Sequence, residues 1–224
     1  MKIMGWEHLN LNLLEAFDFE ITAEHLVLRV FESASEALDD EWKNYVKRFD
    51  ARMSKPMDES QAGYAFSERD WEEQLHRQRM QGVGTLALDW LMCSFQGALH
   101  SAKKYLDAVY PPNAGGYKGD GWLSKVTTEY QQRFGIDFKK GPISFDRIEE
   151  LVLARNAGIH RDGGNLNAYL DKIENPVFVD NDDQFCVTRD VLVGIVKDCE
   201  EFLKWVVAEL TKLRPAPVLN ESDE

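Results

Sequence analysis

The chain has 224 residues, 44% hydrophobic and 29% charged, a balance that suits one soluble globular domain and excludes wholesale disorder. Its formal charge of -13 argues against a general nucleic-acid coat protein, because such binding is driven by phosphate neutralisation with Lys and Arg. The three cysteines, Cys93, Cys186 and Cys199, form no CxxC pair and have no histidine at metal-ligand spacing, so they read as reduced core residues of a cytoplasmic protein.

The opening MKIMGWEHLNLNLLEAF meets Glu7 and Glu15 before any sustained apolar run, so it does not read as a secretory signal. No stretch approaches the roughly 20 apolar residues of a membrane span. Residues 1–21 form an ambiguous N-terminal segment. Leu9, Leu11 and Leu13, then Phe17, Phe19 and Ile21, alternate as in a strand, yet no turn signal joins them into a hairpin. From Thr22 the steps of three and four through Val27, Val30, Phe31, Ala34, Leu38, Trp42, Tyr45, Val46 and Phe49 predict a helix near 23–50. Residues 52–64, broken by Pro56 and Gly63, read as a loop. Ser67 and Asp70 resemble a capping box that opens a helix near 68–110, interrupted at Gly82 and Gly84 and stopped by Pro111 and Pro112.

A turn region, PPNAGGYKGDG, precedes a shorter helix near 122–135. Ser144 then caps a helix near 144–161, whose first turns carry Asp146, Glu149 and Glu150 where the macrodipole favours negative charge. PVFV (176–179) and QFCV (184–187), separated by DNDD, read as a short β-hairpin, and a last helix near 188–213 follows. The tail, 215–224, has the composition of a disordered acidic segment. The expected fold is therefore all-α, a bundle of about five helices over residues 22–214 with one short β-hairpin near the C-terminal third.

Chemistry concentrates in ARNAGIHRDGG, residues 154–164. On a wheel at about 100° per residue, Ile148, Leu151, Val152 and Ile159 fall within about 60° of Arg155. This puts the arginine stem on the apolar face, with Asn156 and His160 one turn apart beside it. Much of the positive charge also lies mid-chain, in Lys118, Lys125, Arg133, Lys139, Lys140, Arg147, Arg155 and Arg161, which marks that region for a polyanion site.

The run Arg155-Asn156-Ala157-Gly158-Ile159-His160, on a late amphipathic helix of an all-α chain, resembles the HEPN superfamily. That resemblance implies a homodimer in which two such helices face each other across a composite cleft, and in many members this cleft is a metal-independent ribonuclease site without a cofactor. It assigns His160 to take the proton from a ribose 2'-hydroxyl, Arg155 to hold the phosphate and Asn156 to orient the pair, with single-stranded RNA as substrate. It also implies an antitoxin or other protein partner in toxin members. Some HEPN toxins carry a Tyr two residues past the His that a partner nucleotidyltransferase modifies, and this chain has Asp162 there, which argues against that pairing. Other HEPN domains have lost activity and serve as dimeric protein- or nucleotide-binding modules.

A purely structural role for the same stretch stays open, since His160 and Arg161 suit the negative end of a helix and Gly163 suits its cap. His100 fits a helix-surface or core histidine, His76 and Glu24-His25 fit solvated faces, and the acidic run 180–183 lacks the spacing of a calcium loop. Trp42, Trp71, Trp90, Trp122 and Trp205 sit at helical core spacing.

Overall fold

The protein was analysed as a computed structural model that describes residues 6–107, 109–142, 145–159, 164–180 and 184–213, with side chains described from residue 25 onward except at 105 and 164. The described part is all-α. Its helices are α1 (Trp6–Met53), α2 (Glu59–Leu106), α3 (Gly121–Phe134), α4 (Phe145–Ile159), α5 (Gly164–Lys172) and α6 (Arg189–Thr211), with a single 3-10 turn at Phe138–Lys140.

The ambiguous N-terminal segment is helical from Trp6, and α1 runs without a break across residue 22. The alternation of Leu9 to Ile21 contains the steps of four Leu9, Leu13, Phe17 and Ile21, and once a helix is nucleated each further residue adds a backbone hydrogen bond. The loop expected over 52–64 shrinks to a connection between Met53 and Glu59. Asp58 closes it. Its Oδ1 accepts from the Gln61 amide at 2.8 Å, and the Gln61 side-chain oxygen accepts from the Asp58 amide at 3.4 Å, a reciprocal capping box. Ser67 lies inside α2 instead, its hydroxyl donating to the Gly63 carbonyl at 3.2 Å.

Gly82 and Gly84 do not interrupt α2. Gly84 serves close approach: a Cβ there would stand 2.7 Å from Cβ of Val187. The expected hairpin is also corrected. One isolated antiparallel bridge joins Val179 and Phe185, and no strand occurs among the described residues. The Phe178 carbonyl accepts from the Cys186 amide at 2.9 Å, but the Phe178 amide donates to the Tyr169 hydroxyl at 3.1 Å instead of returning to Cys186. A ladder cannot propagate past that diversion. Tyr169, fully buried, belongs to α5, a helix absent from the sequence-based expectation. The proposed cap Ser144 and the tail 215–224 lie outside the described residues.

Contacts divide the chain into two compact units, and the division falls within α1, α2, α4 and α6. The first unit comprises the described residues of Met1–Glu24, Met92–Val152 and Ile195–Glu224. Its centre is aromatic: the Phe138 ring lies 5.0 Å from Tyr130 and 5.0 Å from Phe202, which lies 5.9 Å from Phe95. All four are fully buried. Phe138 reaches this position because α3 ends in a left-handed cap, with Gly135 at φ 70°, its amide donating to the Gln131 carbonyl and the Ile136 amide to the Tyr130 carbonyl. Tyr130 donates its hydroxyl to the Leu99 carbonyl at 2.6 Å, and burial raises its pKa above the usual phenol value.

Beside these rings Glu129 accepts from Lys103 at 2.7 Å and from Arg133 at 2.6 Å, and Arg133 also pairs with Asp107 at 2.6 Å. Burial lowers the Arg133 pKa, but the hydrogen bonds to Asp107 and Glu129 outweigh it, so the guanidinium is held charged above its ordinary value. On α6 Ile195, Val196, Cys199, Phe202, Leu203, Val206 and Leu210, spaced by one, three or four residues, are buried.

The second unit comprises His25–Leu91 and Leu153–Gly194. Within it the α1 and α2 segments run antiparallel, paired by Arg79 with Glu41 (3.0 Å), His76 with Asp39 (3.6 Å) and Arg52 with Glu68 (2.9 Å). The Trp42 ring stacks between His76 and Tyr45 at 5.4 and 5.5 Å. Burial is sparse along this pair: Val27, Phe31 and Phe49 are core residues, whereas Val30 and Trp71 are 54% and 59% exposed.

Candidate functional site

The buried arc of α4 passes through Ile148, Leu151, Ala154, Ala157 and Gly158. Ile159 is 37% exposed, so the arc is centred on the Ala154 and Gly158 side. Arg155 stands at its margin, its side chain 33% exposed, rather than at the centre where the wheel placed it. The small residues explain the shift: Ala154, Ala157 and Gly158 admit close neighbours, whereas the branched Ile159 is left toward solvent.

In the second unit α4 runs antiparallel to α2. A Cβ on Gly158 would meet Thr85 Oγ1 at 2.8 Å, and one turn back along α4 Arg155 meets Asp89, one turn on along α2. Arg155 donates from Nε to Asp89 Oδ1 at 2.8 Å, and its Nη2 stands 2.7 Å from the same oxygen as an ion pair. Its Nη1 donates to Asn156 Oδ1 at 3.1 Å. Arg155 and Asn156 are thus brought together as the sequence suggested. His160, the third residue, lies outside the described residues, as do Arg161, Asp162 and Gly163.

Asp89 was not legible as a member of the site. It stands 66 residues before Arg155, and nothing local in DWLM distinguishes it from a solvated helix carboxylate. Around it on α2, Leu86 is 70% and Trp90 41% exposed, so the charged pair is flanked by uncovered apolar side chains. Helical spacing marked Trp71 and Trp90 as core. Spacing tells which face a residue occupies, not whether another element covers it.

Three of the mid-chain arginines are paired with carboxylates. Arg133 pairs with Glu129 and Asp107, Arg147 with Asp198 (3.3 Å) and Glu150 (3.1 Å), and Arg155 with Asp89. Lys118, Lys125, Lys139 and Lys140 are exposed. His100 is exposed on α2, and His76 is engaged with Asp39 and Trp42.

Of the cysteines only Cys199 is in the core. Cys93 is exposed and Cys186 intermediate, and none of the three forms a disulfide. Among the described residues no group of three His, Cys, Asp or Glu side chains is placed to hold a metal ion, and no helix is long and apolar enough to cross a membrane. No protein-family model, curated protein or solved structure matches the chain.

Proposed function

We propose that the chain is a HEPN-like, metal-independent endoribonuclease that acts on single-stranded RNA as a homodimer. The observation that carries this reading is the Arg155 guanidinium, partly exposed at the margin of α4 and held along its edges by Asp89 and Asn156. A guanidinium has five N–H donors, and the contacts among the described residues engage three of its nitrogens once each, which leaves donors for a phosphate oxygen. Preorganised donors of this kind stabilise developing charge without reorganising at the moment of reaction.

In the proposed reaction the His160 imidazole takes the proton of the ribose 2'-hydroxyl. That oxygen then attacks the adjacent phosphorus, and the P–O5' bond breaks to leave a 2',3'-cyclic phosphate and a 5'-hydroxyl. The departing oxygen takes its proton from the protonated His160 of the partner subunit, so a shared cleft supplies both base and acid. The exposed Leu86, Trp90 and Ile159 around the Arg155–Asp89 pair supply the apolar surface that a second copy would cover.

The test is cleavage of single-stranded RNA in excess EDTA by the wild type, His160→Ala and Arg155→Ala, purified in parallel. The reading requires His160→Ala to lose about 10² to 10⁴-fold, the usual contribution of a positioned general base. Equal residual cleavage by all three would mean a contaminant and would overturn it.

A second reading, a non-catalytic HEPN-like dimer that binds a protein or a nucleotide, is favoured by one observation. Arg133 and Arg147 are committed to internal carboxylates in a chain of net charge -13, which weakens the pull on RNA. That reading predicts a dimer by light scattering with no RNA bound.

A further inference from the structure

We infer that Asp89 is the positioning residue of the Arg155 anion site: it fixes the guanidinium from one edge and sets how tightly the opposite edge holds a phosphate. This inference rests on the proposed site, but it concerns a residue that the Arg-Asn-His motif does not contain.

The geometry gives Asp89 two separable effects. Nε and Nη2 form the side-on edge of the guanidinium; Nε donates to Oδ1 at 2.8 Å, and Nη2 lies 2.7 Å from the same oxygen. With Nη1 directed to Asn156 at 3.1 Å, rotation of the planar group is blocked, and the edge between Nη1 and Nη2 is the one offered to an oxyanion. Close packing enforces the reach. Gly158, one turn along α4, lets the helix lie against Thr85 of α2, and a Cβ at Gly158 would also stand 2.8 Å from the Phe185 ring. The second effect is charge. The Asp89 side chain is 38% exposed, so its carboxylate faces any phosphate that approaches Arg155 and repels it through water.

The two effects have opposite signs and two substitutions separate them. Asp89→Asn keeps an acceptor at Oδ1 and removes the charge. Asp89→Ala removes both. An ion pair that merely tied α4 to α2 would alter stability in both variants and, through the lost charge alone, tighten anion binding equally in both.

The experiment is a fluorescence-anisotropy titration of a 2'-O-methyl single-stranded RNA oligonucleotide, which lacks the attacking hydroxyl. Wild type, Asp89→Asn, Asp89→Ala and Arg155→Ala are compared in low salt, each first checked for native helicity. Asp89→Asn is expected to bind about three- to fivefold more tightly, the effect of removing one unit charge several ångströms from a phosphate in water. Asp89→Ala is expected to weaken binding to about the level of Arg155→Ala. If Asp89→Ala does not fold, Asp89→Leu, which also removes the acceptor and fills more of the space, takes its place with the same expected loss of affinity.

Asp89→Asn no tighter than wild type, equal affinities for the two Asp89 variants, or no binding by wild type would each overturn the inference. The expected order of affinities without His160-dependent cleavage removes the nuclease reading and leaves the role of Asp89 standing. His160-dependent cleavage with a flat order of affinities does the reverse.

Discussion

The two units are built from similar helices and finish their surfaces differently. In the unit that contains α3 and most of α6, Phe95, Tyr130, Phe138 and Phe202 close on one another with no exposure, and even the charged Arg133 is enclosed by its carboxylate partners. In the unit that contains the α1 and α2 pair, apolar side chains remain in solvent. Among the residues whose side chains are described, nine large hydrophobic ones are exposed; eight lie in this unit and Val109 lies in the other. A folded chain commonly exposes single apolar residues, and here most of those described lie in the unit that also carries Arg155 and Asp89.

The largest effect that separates the units is expected in the aromatic core. Phe138→Ala removes a ring with no exposure and close contacts to Tyr130 and Phe202, and should cost about 3–5 kcal/mol of unfolding free energy in a urea titration. Trp71→Ala in the other unit, where the ring is 59% exposed, should change stability by less than about 0.5 kcal/mol. Comparable losses in the two variants would break the contrast.

A smaller effect sharpens it within the second unit. Gly84→Ala places a Cβ 2.7 Å from Val187 and should destabilise by about 1–3 kcal/mol through overpacking. Gly63→Ala, also on α2 but with nothing within 4 Å of the new atom, should stabilise by about 0.5–1 kcal/mol, because alanine loses less backbone entropy in a helix. Denaturant midpoints check both signs.

The mildest test is chemical. Burial pushes the Cys186 thiol pKa up, with the Asp180 carboxylate adding to it, so at pH 8 it carries less thiolate than an ordinary cysteine. The chain should react with a disulfide reagent first at exposed Cys93, then at Cys186, and at Cys199 only on unfolding. Raising the pH should narrow the gap between Cys93 and Cys186. Cys186 reacting first would contradict the burial assigned to it.

These contrasts also show which parts of the fold could be read from sequence. Long stripes with one buried face, such as Ile195 to Leu210 on α6, were legible because burial on one side imposes the 3.6-residue period directly. Caps were less so. Ser67 with Asp70 has the pattern of a capping box, but the working one is Asp58 with Gln61, which starts α2 nine residues earlier. Gly84 looked like a break and is a notch for Val187, a role that depends on a segment about a hundred residues away. PVFV and QFCV carried strand propensity, yet Tyr169 withdraws the Phe178 amide from any ladder. At the candidate site Arg155 and Asn156 were legible because they are adjacent on one helix. Asp89 was not, because tertiary packing alone brings α2 beside α4.

The proposed RNA-cleaving role of Arg155, Asn156 and His160 is tested most directly by the nature of the product ends. A defined single-stranded RNA is incubated with the protein in excess EDTA, and its fragments are weighed by mass spectrometry. The account predicts fragments ending in 2',3'-cyclic phosphate with complementary 5'-hydroxyl ends, produced by the wild type and lost in His160→Ala. Intact RNA, or fragments with other ends that persist unchanged in His160→Ala, would contradict it.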